Sequence, residues 1–388
     1  MHLTCLQDNL SRGLSVVGRA VATRPTLPIL SHVLLSTARS QLKLVATDLE
    51  LSIACRIGAR VEQEGTIAVP ARLFADLIQS WPPESIDLAM AQGTLHLTCG
   101  TSEAAIKGID AQQFPLIPEG SDEMQIQIDP DLLMETISRV VFAAATEETR
   151  PILTGVLARF DEDALTMVAA DGFRLSICRI ELPHHVSRPI SAIIPARALN
   201  ELVRIGVDEA QPVGIHIDPA RSQILFRLQG DAGAKKGRIF GIELVSQLLE
   251  GDYVDYHRLV PKSTITRTTV DRERLLTACK TASIFVRNET NDVYFNIEPG
   301  DGAGSGRVGL TATSTSSGDS ADELSAHVEG EPIAIGFDVR FLIDVLAVID
   351  DAQVVLETTS PTRFAVIRPL GSDDFVHILA PMVTPRLR

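Results

Sequence analysis

The chain repeats itself three times, and that periodicity restricts its possible folds more than any single motif does. ATRPTLPIL around Arg24 returns as ETRPILTGVL around Arg150, an offset of 126. LKLVATDLELSIACRI, with Asp48 in its middle, returns as LTMVAADGFRLSICRI around Asp171, an offset of 123. IAVPARLFADLI from Ile67 returns as AIIPARALNELV from Ala192, an offset of 125. A fainter third copy, AIGFDVRFLIDVL, begins at Ala334, so Arg72, Arg197 and Arg340 each open an apolar helical stretch. The period of about 125 residues far exceeds the roughly 20–50 of solenoid repeats, so each copy should be a domain. A length of 388 residues suits two to three domains, each able to bury its own core.

Each copy parses alike. It opens with an amphipathic helical stretch at 7–24, 131–150 and 270–288, where Leu10, Leu14, Val17 and Val21 show helix-face spacing. Asp8 or Asn9, Asp131 and Asp271 are the expected caps. Strands follow: Leu42, Leu44 and Ala46 alternate with polar neighbours, and alternation resumes at Leu49, Leu51, Ile53 and Cys55. That pattern predicts a hairpin with one buried face. Asp171–Gly172 is a strong turn signal in the second copy. A second helix begins at Pro70 or Pro195 (70–81, 195–205) and again at 338–349, proline suiting a first turn. The expected class is α+β: three tandem domains, 1–121, 128–244 and 245–388, each with two helices and antiparallel sheet.

The net charge is −15, which opposes nonspecific attraction to nucleic acid. Its distribution differs from its sum. The six helical stretches total +2, leaving −17 for the remainder, so helices sharing one surface would form a near-neutral face on an acidic body. The plainer reading is that helices simply carry more arginine. Five scattered cysteines without CxxC spacing read as buried thiols of a reducing compartment. The start MHLTCLQDNLSRGL has neither the basic flank nor the apolar run of a signal peptide. No apolar run nears the ~18 residues that span a membrane. A cytoplasmic protein is the expectation.

Catalytic motifs are missing. GDGAGSG at Gly300–Gly306 has no following Lys-Ser/Thr, so it is no P-loop; it reads as a surface loop in the longest repeat (Arg197 to Arg340 is 143 residues, against 125 for the preceding pair). HExxH, GxSxG and kinase signatures do not occur. His184–His185 reads as an exposed pair. Asp161–Glu162–Asp163 looks like a metal cluster but sits between two strands, where a hairpin turn is the simpler reading. Gly318–Asp319–Ser320 has no histidine partner nearby. No catalytic residue, metal or cofactor is expected.

RPTLPIL at Arg24–Leu30, ATDLE at Ala46–Glu50 and VPAR at Val69–Arg72 resemble the bacterial β sliding clamp of DNA polymerase III. So do AADGFRL at Ala169–Leu175, DYHRLVPK at Asp255–Lys262, IGFDVRFLIDVL at Ile335–Leu346 and HILAPM at His377–Met382. The resemblance runs from about residue 1 to 383 in the family's order. It implies a head-to-tail homodimeric ring of three-domain subunits, helices lining a hole for duplex DNA and sheets forming the outer wall. The implied role is non-catalytic: the ring tethers the replicative polymerase and slides. Sliding needs weak, sequence-blind phosphate contacts, which a modest helix charge suits.

By family position Arg24 is a DNA contact, with Arg72, Arg197, Arg258 and Lys262 as companions. A peptide pocket for polymerase, clamp loader and repair proteins is implied at Arg150, Leu153, Ala170, Gly172, Phe173, Arg174 and Leu175. Val254, Leu259, Asp338, Phe341, Ile378, Pro381 and Met382 complete it. An apolar groove with a few polar edges suits capture of hydrophobic anchors, although Leu153, Leu175 and Ile378 also fit plain core. Ala104 and Ile106 are expected to meet Ile284 and Phe285 across the dimer contact.

Several positions depart from the family pattern. Val383–Arg388 continues past the Pro-Met pair, where it would shade the pocket's rim. Phe173 replaces a usual His or Tyr, Asp338 a usual Asn, and Glu147, Pro151 and Ile152 replace polar or aromatic residues near a single-strand contact. Two rivals remain at the sequence level: an enzyme, for which the polar constellation is missing, and a clamp-like paralogue that binds partners without encircling DNA.

Overall fold

In a computed structural model of the chain, the described residues are all except 39, 116–123, 148, 184, 187, 207–210, 231–238, 262, 288–289, 301, 303–304 and 383–388. Among them are six α-helices, two in each repeat: α1 (Gln7–Val17), α2 (Ala71–Ser80), α3 (Pro130–Val141), α4 (Ala196–Ile205), α5 (Arg272–Val286) and α6 (Val339–Ala347).

The first helix of each of the first two repeats is shorter than its periodicity suggested. α1 gives way to a tighter turn at Gly18–Ala20. After α3, the N–H groups of Ala143 and Ala144 reach back only three residues, to Val140 and Val141. Pro25 and Pro151 each disfavour helical backbone at the preceding arginine, and Arg150 has φ −131° and ψ 80°. The caps also differ in part. Asp271 Oδ1 accepts the Arg274 N–H at 2.9 Å, as expected. For α3 the cap is Asp129, whose Oδ1 accepts the Leu132 N–H at 3.1 Å. Asp131 sits in the first turn instead, where its charge still suits the positive helix end. No side chain caps α1: Leu6 holds that position and Asp8 lies in the first turn.

The chain divides into two compact units. One comprises Met1–Met134, Pro183–Val186 and Arg197–Leu249; the other comprises Glu135–Leu182, Ser187–Ala196 and Glu250–Arg388. In the first unit α1 packs on α2 and on strand Leu51–Gly58, burying Leu10, Leu14 and Val17. A five-stranded sheet ends at the edge strand Ser102–Lys107. An eight-stranded sheet contains the pairing of Leu51–Gly58 with Ile239–Gln247, in which Ile53 faces Leu244.

The predicted hairpin around Asp48 forms, with Leu42, Leu44, Ala46, Ile53 and Cys55 all fully buried. One buried face understates it. Val45 and Ala54 point the other way and are buried too, under Ile29, Leu30 and Phe114. This cover interrupts the polar alternation at Val45 and Ala54, while Lys43, Ser52 and Arg56 keep it at the partly exposed positions.

In the second unit a twelve-stranded antiparallel sheet runs from Ile190–Pro195 to Ile333–Asp338. Within it Arg174–Glu181 pairs with Phe375–Leu379, setting Leu175 opposite Ile378 and Ser176 opposite His377. Arg174 and Leu51 are equivalent repeat positions, 123 residues apart, so the same strand of the repeat makes this junction in each unit. α5 packs on α6. The Asp161–Glu162–Asp163 run forms the expected hairpin turn, with Asp161 paired to Ala164. Gly300 and Ser305 close the Gly-rich loop through an N–H···O bond of 2.7 Å.

All five cysteines are buried and unpaired. Burial pushes the Cys5, Cys55 and Cys279 thiols up to about 12 and Cys178 to about 11, which holds them as inert thiols at neutral pH. Among the described residues no helix is long and apolar enough to cross a membrane.

Candidate peptide groove and basic residues

The groove starts at the turn between strands Ala164–Ala170 and Arg174–Glu181. Asp171 Oδ1 accepts the N–H groups of Phe173 at 2.8 Å and Arg174 at 2.9 Å. Gly172 takes φ +97°, a backbone that side chains rarely adopt. A Cβ there would lie 3.0 Å from Arg150 Nη1, so the Arg150 guanidinium covers the turn. The turn leaves Phe173 outside, 64% exposed. Its carbonyl accepts the Ala380 N–H at 2.8 Å, and two residues on the Met382 N–H donates to Gly336 at 2.8 Å. The segment Ala380–Met382 is thereby held between the turn and strand Ile333–Asp338.

Beneath the turn, one apolar cluster joins Val168, Ala170, Leu175, Tyr256, Val366 and Ile378, with Leu153, Tyr253 and Leu259 packed against it. Five residues expected in the pocket therefore meet: Leu153, Ala170, Leu175, Leu259 and Ile378. Ala170, Leu175 and Ile378 are at most 4% exposed, so they form its floor. Val254 and Phe364 join Phe173 as exposed apolar side chains.

A cavity of about 530 Å³ adjoins them, lined by Leu259, Val260, Pro261, Phe364 and Pro381 together with Arg258, Ser263, Thr359, Thr362 and Arg363. Burying one leucine or aromatic side chain in such a space contributes about 1.5–3 kcal/mol.

Arg174 organises the polar side. Nε meets Asp171 Oδ2 at 3.0 Å, Nη1 meets Asp344 Oδ2 at 2.6 Å, and Nη2 donates to the Phe142 carbonyl at 2.7 Å. The guanidinium stacks 4.4 Å from the Phe341 ring centroid, an arrangement that favours a planar cation. Behind it His377 bonds Ser176 Oγ through Nδ1 at 2.7 Å. Burial, reinforced by the Arg174 charge, depresses the His377 pKa to about 3, so the imidazole is neutral.

Asp338 is 6% exposed and already committed. Its Oδ1 caps α6 through the Arg340 N–H at 2.9 Å, and Oδ2 pairs with Arg340 Nη2 at 2.6 Å. Across the strands its neighbour is Asp292. Desolvation, then the Asp338 charge, raise the Asp292 pKa against the opposing hydrogen bond from Thr290.

The basic residues expected to touch DNA do not share one environment. Arg24 is exposed and has no side-chain partner among the described residues. Arg72 is almost fully exposed, with Asp76 only within 3.9 Å. Arg197 pairs with Asp48 at 2.5 Å. Arg258 pairs with Asp255 at 2.8 Å and lines the cavity, beside the groove residue Leu259. Lys262 lies outside the described residues.

Of the expected dimer residues, Ile284 is 61% exposed and Phe285 half-buried. Ile106 is 3% exposed, paired to Leu95 within its own sheet. Alternation sends Ala104 and Ile106 inward and Glu103, Ala105 and Lys107 outward.

Tyr253, Tyr256, Val366, the segment Thr359–Phe364 and Asp344 escaped the sequence reading. For Asp344 a signal existed, since it recurs 143 residues after Glu201, as Arg340 does after Arg197. The loop at 359–364 carries no repeat or motif to mark it.

Three family models cover the chain in order: the DNA polymerase III beta subunit N-terminal domain at 1–118, the central domain at 127–255 and the C-terminal domain at 257–383. The chain belongs to the DNA polymerase III beta subunit family. A beta sliding clamp of Synechococcus elongatus is 30% identical over 390 residues, covering 98% of this chain and 99% of the relative. One from Staphylococcus aureus is 30% identical over 394 residues, covering 99% and 100%. Among solved structures, the DNA polymerase sliding clamp of Bacillus subtilis matches with a TM-score of 0.90 at 28% identity, covering 99% of both chains. A Pseudomonas aeruginosa sliding clamp bound to griselimycin matches at TM-score 0.88 and 27% identity, covering 99% of this chain and 100% of that one. The three-domain clamp fold, with paired helices and antiparallel sheets in each domain, is thus the architecture of this beta subunit family member.

Proposed function

We propose that this chain is a non-catalytic DNA sliding clamp of the cytoplasm, with domains at 1–121, 128–244 and 245–388. Two copies close head to tail into a ring around duplex DNA. The ring tethers the replicative polymerase, and its groove receives short linear peptides of the polymerase, the clamp loader and repair proteins. Membership of the beta subunit family along the full chain supports the ring. The observation that carries the reading for this chain is the groove: a buried Leu175–Ile378 floor beside exposed Phe173 and a cavity large enough for apolar anchors.

Arg24, Arg72 and Arg197 supply weak phosphate contacts, with Arg258 and Lys262 as further candidates. Such contacts suit a protein of net charge −15 that is confined topologically and does not grip its DNA. The groove set is the fourteen-residue group from Arg150 to Met382 named above, and Ile284 and Phe285 present the apolar side of the subunit contact. The test is retention on nicked circular DNA after loading. A clamp stays on the circle and is released on linearisation; equal loss from both forms removes the reading.

A further inference from the structure

The cavity beside the groove reverses the charge of the chain. Its walls combine Leu259, Pro261, Phe364 and Pro381 with two guanidinium groups, Arg258 and Arg363, and hold no carboxylate among the described residues. The chain as a whole carries 50 acidic residues against 35 basic ones, so a described lining with two cations and no acid departs from the balance of the chain. Arg363 is exposed and has no side-chain partner among the described residues. Arg258 is paired with Asp255, but both side chains are more than half exposed, and such pairs hold little of a cation's charge.

We propose that Arg363 is a specificity-determining residue: with Arg258 it makes the cavity select partner peptides that carry an aspartate or glutamate beside their leucine and aromatic anchors. The inference rests on the groove being a peptide site. The apolar wall supplies affinity for the anchors, whereas the two cations supply discrimination, rewarding a carboxylate and penalising a lysine at the same place. A phosphate backbone would satisfy the charge but would leave Leu259 and Phe364 without an apolar partner, which favours a peptide over nucleic acid as the occupant.

Three peptides sharing one Leu-Phe core, flanked by two aspartates, two asparagines or two lysines, test this by calorimetric titration of the full chain. The wild type should bind the aspartate peptide about tenfold more tightly than the lysine peptide at low salt, with the gap closing at high salt. Arg363→Glu should invert that order, and the asparagine peptide should bind both proteins within about twofold. An unchanged aspartate-to-lysine ratio in Arg363→Glu, with the asparagine peptide still bound, would overturn the charge selection and leave the groove standing. Failure of all three peptides to bind the wild type would remove both. A short DNA duplex that displaces the aspartate peptide from the wild type but not from Arg363→Glu would make phosphate the ligand and overturn the proposal.

Discussion

Arg174 Nη1 donates to the carboxylate of Asp344 at 2.6 Å, tying the Asp171–Phe173 turn to helix α6. Arg174 is almost buried there, while Asp344 stays 42% exposed. The same guanidinium also holds Asp171 and the Phe142 carbonyl. One side chain therefore sets the spacing of the turn that carries Phe173, the end of α3 and the helix that carries Phe341.

Asp344→Ala should leave Arg174 with two of its three anchors and cost about 1–2 kcal/mol of stability, because the lost partner is only partly buried. Arg174→Ala should cost more, about 2–4 kcal/mol, since it strands Asp171 and a carbonyl at once. Urea denaturation reads both. Peptide affinity should fall with Asp344→Ala even at temperatures where the variant is fully folded. Unchanged affinity would show that the Arg174–Asp344 bond supports only the fold.

His377 predicts a pH dependence. Its folded pKa is about 3, depressed from 6.5 by burial and by Arg174. The unfolded chain therefore binds a proton that the folded chain refuses. Its contribution is complete above about pH 6.5 and is lost as pH falls towards the folded value, a change on the order of a few kcal/mol. Urea midpoints measured from pH 7 down to pH 4 should fall for the wild type and fall less for His377→Leu. Parallel curves would mean that another group governs acid sensitivity.

The structure separates two arginines that the sequence treats alike. Arg24 has no partner among the described residues, whereas Arg197 is held by Asp48 at 2.5 Å. Arg24→Ala should lower the log–log salt slope of DNA binding by about one. Arg197→Ala should change it less and should instead loosen the Asp48 turn. Equal slopes for both variants would return Arg197 to the set of full phosphate contacts.

The outlines of the fold were legible because repetition is a global signal: Arg72, Arg197 and Arg340 mark the second helix of each copy wherever its ends fall. Helix ends were less legible, since they depend on local competition. Pro25 and Pro151 bar helix at the preceding arginine, and Asp129 outcompetes Asp131 for the free N–H groups of α3. The floor of the groove could be named from position, but its partners could not. Tyr253, Tyr256 and Val366 reach Leu175 and Ile378 only through long-range packing. Ile106, which family position puts at a subunit contact, is 3% exposed on the inward face of its strand.

The expected dimer contact should therefore depend chiefly on the other side. Ile284 is 61% exposed near the end of α5, an apolar surface that a monomer would gain nothing from presenting to water. Phe285→Asp should give monomers in light scattering at micromolar concentration. Ile284→Asp should do the same with less disturbance of the fold. A dimer that survives both places the contact elsewhere.

The groove depends on the last described residues, Ala380–Met382, because two backbone bonds of 2.8 Å fix them between Phe173 and Gly336. Truncation after Leu379 removes both bonds along with Pro381, which lines the cavity. Strand Phe375–Leu379 remains, and with it the Leu175–Ile378 pairing, so the protein should still fold and dimerise. Its peptide affinity should fall by at least about tenfold, the equivalent of one lost anchor at about 1.5–3 kcal/mol. Truncation after Met382 instead keeps both bonds and Pro381 while removing Val383–Arg388, so binding should be retained or strengthened. Calorimetry of the three proteins with one peptide containing leucine and phenylalanine separates the cases. Equal affinity across all three would place the binding site away from the Ala380–Met382 segment and from the cavity that Pro381 lines.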